Sequence, residues 1–138
     1  MNYLIETCVF SEYRKKAPEP KVIDWINGNA DESLYLSVLT IGELEKGILR
    51  LPDSTRKTDL IEFLETLIIR FDQRVLNLDI SVMRKLATLV SDLESKGRVL
   101  PIVDSLLAAT AIAHDLTIVT RNEGDFIGTN VAILNPWQ

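Results

Sequence analysis

Four acidic residues of this chain stand where a buried apolar segment ends or where a helix is predicted to begin. They are Glu6, Glu43, Asp104 and Asp125. Ligands of open parallel sheets bind outside the carboxyl ends of the strands, so we expect these side chains to converge at one edge of a sheet. Converging carboxylates repel one another strongly unless a cation holds them together. The cations that suit an all-oxygen site are Mg²⁺, Mn²⁺ and Ca²⁺, so the pattern indicates metal-dependent phosphodiester chemistry.

Each acid also has an ordinary structural explanation, and the residues alone leave both explanations open. Thr40 and Glu43 have the spacing of a capping box at a helix start. Asp104 falls in the first turn of a predicted helix, where the helix dipole favours acids. Asp125 could cap a turn in a loop. Glu6 is the hardest to explain in this way, because a charged residue at the end of a buried strand is costly unless something satisfies it.

The elements that must position these acids follow from the hydrophobic pattern, in which strand-like and helix-like segments alternate along the chain. Strands are predicted at 2–6, 34–39, 74–78, 116–120 and 131–134, and helices at 21–27, 41–51, around 60–68, from Asp79 or Ser81 to Ser95, and at 104–113. Gly97 is predicted to end the fourth of these helices. Alternating strands and helices form a mainly parallel sheet with helices on both faces, so we predict an α/β fold. No repeat or long linker divides the chain, and residues 1–138 are predicted to form one domain.

The composition limits which classes of protein this chain can belong to. It has 138 residues, of which 46% are hydrophobic, and one cysteine, so a core without disulfides in a reducing compartment is expected. No apolar run reaches the roughly 20 residues that cross a bilayer, and the first residues lack the pattern of a signal peptide. We therefore expect a cytoplasmic protein with no membrane partner. The net charge of −5 disfavours a general nucleic-acid binder, but it does not exclude a nuclease whose acids bind metal.

Four segments of the sequence resemble, in order and in spacing, the motifs of a known family. They are Glu6-Thr7-Cys8, the stretch 34–44 that ends in Gly42-Glu43-Leu44, Leu100-Pro101-Ile102-Val103-Asp104, and the stretch 116–122 followed by Asp125-Phe126. The family is that of the PIN domains, and within it the VapC-type toxins of toxin–antitoxin pairs, near the FitB-like branch. The resemblance implies a three-layer α/β/α sandwich and an endoribonuclease that depends on Mg²⁺ or Mn²⁺. It also implies a homodimer that a small VapB-type antitoxin holds inactive.

The resemblance also assigns roles to individual residues. It places the catalytic, metal-binding acids at Glu6, Glu43, Asp104 and Asp125. Thr7 and Thr120 fall at positions whose hydroxyl groups support the acids, and Cys8 lies beside them. Apart from the resemblance, contacts to the RNA backbone are expected from basic residues, of which Arg121 is the best placed because it follows a strand end beside the acids; the others are Arg14, Lys15, Lys16 and Lys46.

Two residues depart from the family pattern, because Glu6 stands where Asp is usual and Cys8 stands where Asn is usual. The longer side chain of Glu6 changes the reach of a metal ligand, and a thiol is a weaker hydrogen-bonding group than an amide. The chain could therefore be an active ribonuclease or a PIN-fold protein that binds its antitoxin without turnover. Replacing Glu6 with Asp discriminates between the two functions. A phosphoacceptor receiver domain fits less well, because it needs paired acids after the first strand, where this chain has only Glu6.

Overall fold

The sheet of the protein has five strands, all parallel, and its centre is formed by the first strand. The computed structural model describes all residues, 1–138. The strands are β1 (Tyr3–Ile5), β2 (Leu34–Ser37), β3 (Val75–Leu76), β4 (Thr117–Val119) and β5 (Ile133–Leu134). Their order is β3-β2-β1-β4-β5, and each neighbouring pair runs parallel. The chain winds from β1 first towards β2 and later back to β4, so the carboxyl ends of β1 and β4 flank a topological switch point, where ligands of such sheets bind.

Helices cover both faces of the sheet, which confirms the predicted α/β/α sandwich. They are α1 (Thr7–Ser11), α2 (Pro20–Asn27), α3 (Val38–Leu49), α4 (Thr55–Phe71), α5 (Ile80–Ser95) and α6 (Ile102–His114). The side chains of successive strand residues point to opposite faces, so Ile5 packs in one core and Leu4 in the other. The core around Ile5 is built with α1 to α4, and the core around Leu4 with α5 and α6.

The start of α3 differs from the prediction. The second strand ends at Ser37, and α3 begins at Val38, three residues before the predicted helix start. The hydroxyl of Ser37 accepts a hydrogen bond from the backbone N–H of Leu39 and so caps the helix. The predicted capping box is therefore wrong. Thr40 lies inside the helix, fully buried, and its hydroxyl has no hydrogen-bond partner, for which nothing in the structure gives a reason.

Both ends of α5 confirm the residues predicted for them. The carboxylate of Asp79 accepts from the backbone N–H of Val82 at 3.0 Å and caps the start. At the other end Gly97 has a φ of 71°, and the backbone N–H groups of Gly97 and Arg98 donate to the carbonyls of Glu94 and Leu93. These two bonds form a Schellman motif, which ends α5 sharply and fixes the direction of the loop towards α6. None of the helices combines the length and the apolar character that a bilayer crossing requires.

Candidate active site

The structure brings the four predicted acids to the carboxyl edge of the sheet. Glu6 follows β1, Glu43 lies on α3, and Asp104 lies in the first turn of α6. Asp125 lies in a 3-10 turn after β4, at 123–126. Two of these elements belong to opposite layers, α3 and α6, so the acids bridge the two sides of the sheet. Sequence reasoning placed each of them at this edge.

Electrostatic coupling links the four carboxylates through Asp104, which feels the charges of Asp125 and Glu43 and in turn affects Glu6. Burial raises the pKa of Glu6 above its usual value, and the charges of Glu43 and Asp104 raise it further. Burial also raises the pKa of Asp104, with further increases from the charges of Asp125 and Glu43. In the absence of a cation, the folded protein therefore disfavours negative charge at both residues.

Glu6 is held in place by two side chains. The hydroxyl of Thr120 donates a hydrogen bond to Oε2 of Glu6, and the thiol of Cys8 donates to the same oxygen at 3.4 Å. Thr120 is fully buried, and its own oxygen accepts from the backbone N–H of Asn122 at 2.9 Å. This second bond fixes the hydroxyl, so Glu6 is positioned from the neighbouring strand across the switch point. These hydrogen bonds lower the pKa of Glu6 and partly offset the effect of burial.

Thr7 supports a different acid. Its hydroxyl donates to Oε1 of Glu43 at 2.8 Å, which ties the start of α1 to α3. Thr7 is the first residue after Glu6, so one short segment touches two of the four carboxylates.

Cys8 remains a neutral thiol at this site. Burial raises its pKa to about 11, and the negative charge of Glu6 acts in the same direction. A thiol with this pKa is neither a nucleophile nor a thiolate metal ligand near neutral pH. Its contribution is the weak hydrogen bond that it donates to Glu6.

The donor atoms fit a hard divalent cation in chemistry, but they do not form a finished cage. No three Asp, Glu, His or Cys side chains converge closely enough to hold an ion as they stand. The nearby donors are carboxylate oxygens, the ligands that Mg²⁺ and Mn²⁺ prefer. One oxygen of Glu6 and one of Glu43 are occupied by hydrogen bonds, which leaves the other oxygen of each available. Asp125 is exposed and its carboxylate makes no hydrogen bond, so it is free to turn towards a bound ion, whereas Glu43 is exposed but held by Thr7.

The basic residues predicted to contact RNA lie in different settings, and Arg121 is the one that follows a strand end at this edge. Arg121 follows Thr120 directly, and its guanidinium stacks over the ring of Trp137 at 5.4 Å. Arg14 packs on Gly47 of α3, where a side chain would crowd its guanidinium. Lys46 is exposed on the same helix, three residues after Glu43.

Arg14 is also part of a basic surface that includes its neighbours Lys15 and Lys16, to which the structure adds Arg56. A small surface cleft of about 370 Å³ is lined by Ser11, Arg14, Lys15, Lys16 and Arg56. The guanidinium of Arg56 reaches across to the backbone carbonyl of Arg14 at 3.2 Å. This cluster, which we call the basic surface, belongs to the layer of α1, α3 and α4, and it gives an acidic chain a local excess of positive charge.

Sequence reasoning missed Glu12, which has 2% of its surface exposed. Its carboxylate pairs with Lys15 at 2.7 Å and accepts from the backbone N–H of Glu19 at 3.0 Å. Both partners lower its pKa, with Lys15 the larger cause. Glu12 lies in the polar segment that follows Phe10, so its burial left no signal in the sequence, and its contacts fix the segment that carries Arg14 and Lys15.

The largest cleft of the protein lies away from the acids. It has a volume of about 730 Å³, and its lining includes Asn2, Asp115, Thr117 and Ala132, at the amino ends of the strands. It is open and contains one carboxylate, Asp115. The switch point and the four carboxylates lie at the opposite edge of the sheet.

A family model of the PIN domain matches residues 3–129. The chain therefore belongs to the PIN-domain family, which confirms the resemblance drawn from the four motifs. The likeness extends to toxins of that family. The chain is 36% identical to Toxin FitB of Neisseria gonorrhoeae over 98% of both chains. It is 34% identical to VapC ribonuclease Y4jK of Sinorhizobium fredii, over 98% of this chain and 97% of that one.

A solved structure gives the same result in three dimensions. The crystal structure of FitAcB from Neisseria gonorrhoeae superposes with a TM-score of 0.92 at 34% identity, over 99% of both chains. The PIN-domain fold of the protein is thus supported by its own architecture and by this superposition.

Proposed function

We propose that the protein is a metal-dependent endoribonuclease and the toxin of a toxin–antitoxin pair. The observation that carries the proposal is the electrostatic coupling of Glu6, Glu43, Asp104 and Asp125 at the carboxyl edge of the sheet. Such a cluster is unfavourable without a cation and suited to one with it. The relative named VapC ribonuclease Y4jK supports RNA as the substrate.

In this proposal Glu6 and Asp104 are the principal ligands, and Glu43 and Asp125 complete the site from the two exposed sides. When bound, Mg²⁺ or Mn²⁺ lowers the pKa of a water and neutralises charge that develops on the phosphate oxygens. Thr120 and Cys8 hold Glu6, and Thr7 holds Glu43, so the chain limits the rotation of two carboxylates. Positioning of this kind reduces the reorganisation that the reaction requires.

The basic surface is proposed to bind the RNA backbone on the side of α3. Arg14 is the best-supported contact, because its guanidinium is packed against Gly47 on the helix that carries Glu43. Lys46 and Arg121 extend the positive charge towards the acids. Phosphate contacts of this kind position the substrate without reading its sequence.

Glu6 and Cys8 are proposed to be a matched pair and not a sign of decay. The longer acid reaches Thr120, and the small thiol beside it leaves the room that the longer acid needs.

A second candidate function remains, that of a PIN-fold protein that binds its antitoxin without turnover. The observation that favours it is the absence of a finished metal cage, because the carboxylates must move to close around an ion.

A small antitoxin of the VapB or FitA type is the proposed protein partner, supported by the solved FitAcB relative. The net charge of −5 suits a basic segment of such a partner. We further propose that the chain acts as a homodimer in the cytoplasm, where its RNA substrates are.

The test of the nuclease is cleavage of a panel of structured RNAs with Mg²⁺ or Mn²⁺ and with EDTA. Asp104→Asn is the inactivating variant, and Asp59→Asn, an exposed residue of α4, is the matched control. We expect metal-dependent cleavage that Asp104→Asn abolishes and Asp59→Asn preserves. Cleavage by Glu6→Asp combined with none by the natural chain would favour the binding protein. Cleavage that survives both in EDTA and in Asp104→Asn would refute the site.

A further inference from the structure

A second cleft adjoins the acids on the side of the sheet that is opposite the basic surface. It has a volume of about 420 Å³ and is formed where α5 turns into α6 and where the 3-10 turn follows β4. Asp104 and Asp125 form one wall, so the cleft opens directly onto the candidate active site. Its lining includes Arg98, Val99, Pro101 and Ile127.

Arg98 is the one cationic side chain in the lining of this cleft. It forms no ion pair and donates no side-chain hydrogen bond, although two carboxylates line the same cleft. Its guanidinium packs directly on Gly128, in the space that a β-carbon would occupy. Gly128 has a φ of 88°, a conformation that disfavours other residues, so the backbone itself keeps this space open.

The fold also fixes the backbone of Arg98. Its N–H donates to the carbonyl of Leu93 at 2.8 Å in the Schellman motif that ends α5. Gly97 supplies the left-handed conformation that this motif needs. The Arg98 guanidinium is therefore positioned by the Schellman motif on one side and by Gly128 on the other, while its N–H groups have no hydrogen-bond partner.

Three of the nine residues that line the cleft are hydrophobic, namely Val99, Leu100 and Ile127, and two of these are exposed. Val99 is 89% exposed and Ile127 is 59% exposed, and Ile102, at 61%, stands beside them at the start of α6. Apolar surface next to an unpaired cation suits a ligand that has a flat, uncharged part and an anionic part. A single-stranded nucleotide has this composition, because its base can make van der Waals contacts to aliphatic side chains and its phosphate pairs with arginine.

We propose that this cleft is a nucleotide subsite, in which Arg98 binds the phosphate next to the bond that is cut and the apolar walls contact the base of that nucleotide. The inference rests on the proposed ribonuclease function and extends it. It gives the RNA a path across the carboxyl edge of the sheet, from the basic surface on the α3 layer, past the four acids, to Arg98 on the α6 layer. Binding on both sides of the acids would hold the scissile phosphate over them.

The experiment is the salt dependence of binding of a fluorescein-labelled single-stranded RNA, followed by fluorescence anisotropy in EDTA, where no cleavage is expected. For single strands, each phosphate contact contributes about 0.7 to the slope of log affinity against log salt. We expect Arg98→Ala to reduce the steepness of this slope by about 0.7. Arg84→Ala is the matched control and leaves the slope unchanged, because Arg84 is an exposed, unpaired arginine earlier on α5, about 16 Å of helix before Ser95.

A second variant tests the apolar wall. We expect Ile127→Ala to weaken RNA binding several-fold without changing the slope, because it removes a contact to the base and no charge. Equal thermal melting of the natural chain and the variants excludes unfolding as the cause of either effect.

The outcomes separate this inference from the proposed function. If Arg98→Ala has the same salt slope as the natural chain while Asp104→Asn abolishes cleavage, the subsite is refuted and the proposed ribonuclease function stands. A change of oligomeric mass in Arg98→Ala or Ile127→Ala by light scattering overturns the subsite in favour of a protein interface. Failure of the natural chain to bind or cleave any RNA of the panel overturns both.

Discussion

Exchange of Glu6 and Cys8 for the residues usual in the family is the most informative perturbation of the site. Replacing Glu6 with Asp shortens the side chain by one carbon–carbon bond, about 1.5 Å. The carboxylate then withdraws from Thr120 and from the thiol of Cys8, which donates at 3.4 Å in the natural chain. At about 4.9 Å the Cys8 thiol is no longer within hydrogen-bonding distance, and the hydrogen bond from Thr120 is lengthened by the same withdrawal. A hydrogen bond to a charged group contributes about 1.5–3 kcal/mol, so we expect Glu6→Asp alone to lower kcat/KM by about 10- to 100-fold.

Replacement of Cys8 alone is expected to be harmful for a different reason. Asparagine is larger than cysteine and would enter a space that is filled by Glu6 and Thr120. Overpacking of this kind costs about 1–3 kcal/mol. In the double variant the shorter acid makes room for the amide, which can donate to it. We therefore expect the double variant to recover most of the activity and stability that each single variant loses.

The assay is a double-mutant cycle with two readouts, RNA cleavage with Mn²⁺ and the free energy of unfolding in EDTA. A coupling energy of about 1–3 kcal/mol in favour of the double variant is the expected result. The second readout does not depend on catalysis, so it tests the pairing even if cleavage is weak. Additive effects would refute the matched pair. A gain of activity in Glu6→Asp alone would show instead that the longer acid impairs the site.

Two further predictions concern the pH dependence of stability. Asp104→Asn should be more stable than the natural chain at pH 7 in EDTA, because the folded pKa of Asp104 is raised. The charged form of Asp104 lowers the free energy of unfolding as pH rises through the folded pKa, and this loss is absent below the usual pKa of 3.8. Thermal melting against pH checks this, and a less stable variant at pH 7 would contradict it. Glu12→Gln should lose about 1–2 kcal/mol at pH 7, a modest value because Lys15 is half exposed. The folded pKa of Glu12 is lowered, so its stabilising effect is present above the usual pKa of 4.5 and lost as pH falls through the folded pKa. A difference between the urea unfolding free energies of the natural chain and Glu12→Gln that persists in acid would contradict this.

Much of the fold was predictable because its signals are local. The cap at Asp79 and the stop at Gly97 follow from hydrogen bonds and backbone conformations within a few residues. The start of α3 was not predicted correctly, because Ser37 and Thr40 are both suitable caps and only the end of β2 decides between them. That end depends on pairing with β1 and β3, which are distant in sequence.

The location of the four acids at one edge of the sheet was predictable, and their contacts were not. The position of each acid after a strand or at a helix start placed all four at one edge. The link from Thr120 to Glu6 spans 114 residues, and the packing of Arg98 on Gly128 joins a helix end to a distant turn. Contacts of this kind arise from the sheet order and leave no periodic pattern in the sequence.

Whether the four carboxylates form one site for a divalent cation is measured by isothermal titration of the natural chain, Asp104→Asn and Asp59→Asn with Mn²⁺. We expect saturable binding to the natural chain and to Asp59→Asn, and at least tenfold weaker binding to Asp104→Asn. Equal affinity for all three proteins, or no binding to the natural chain at millimolar Mn²⁺, would contradict this expectation.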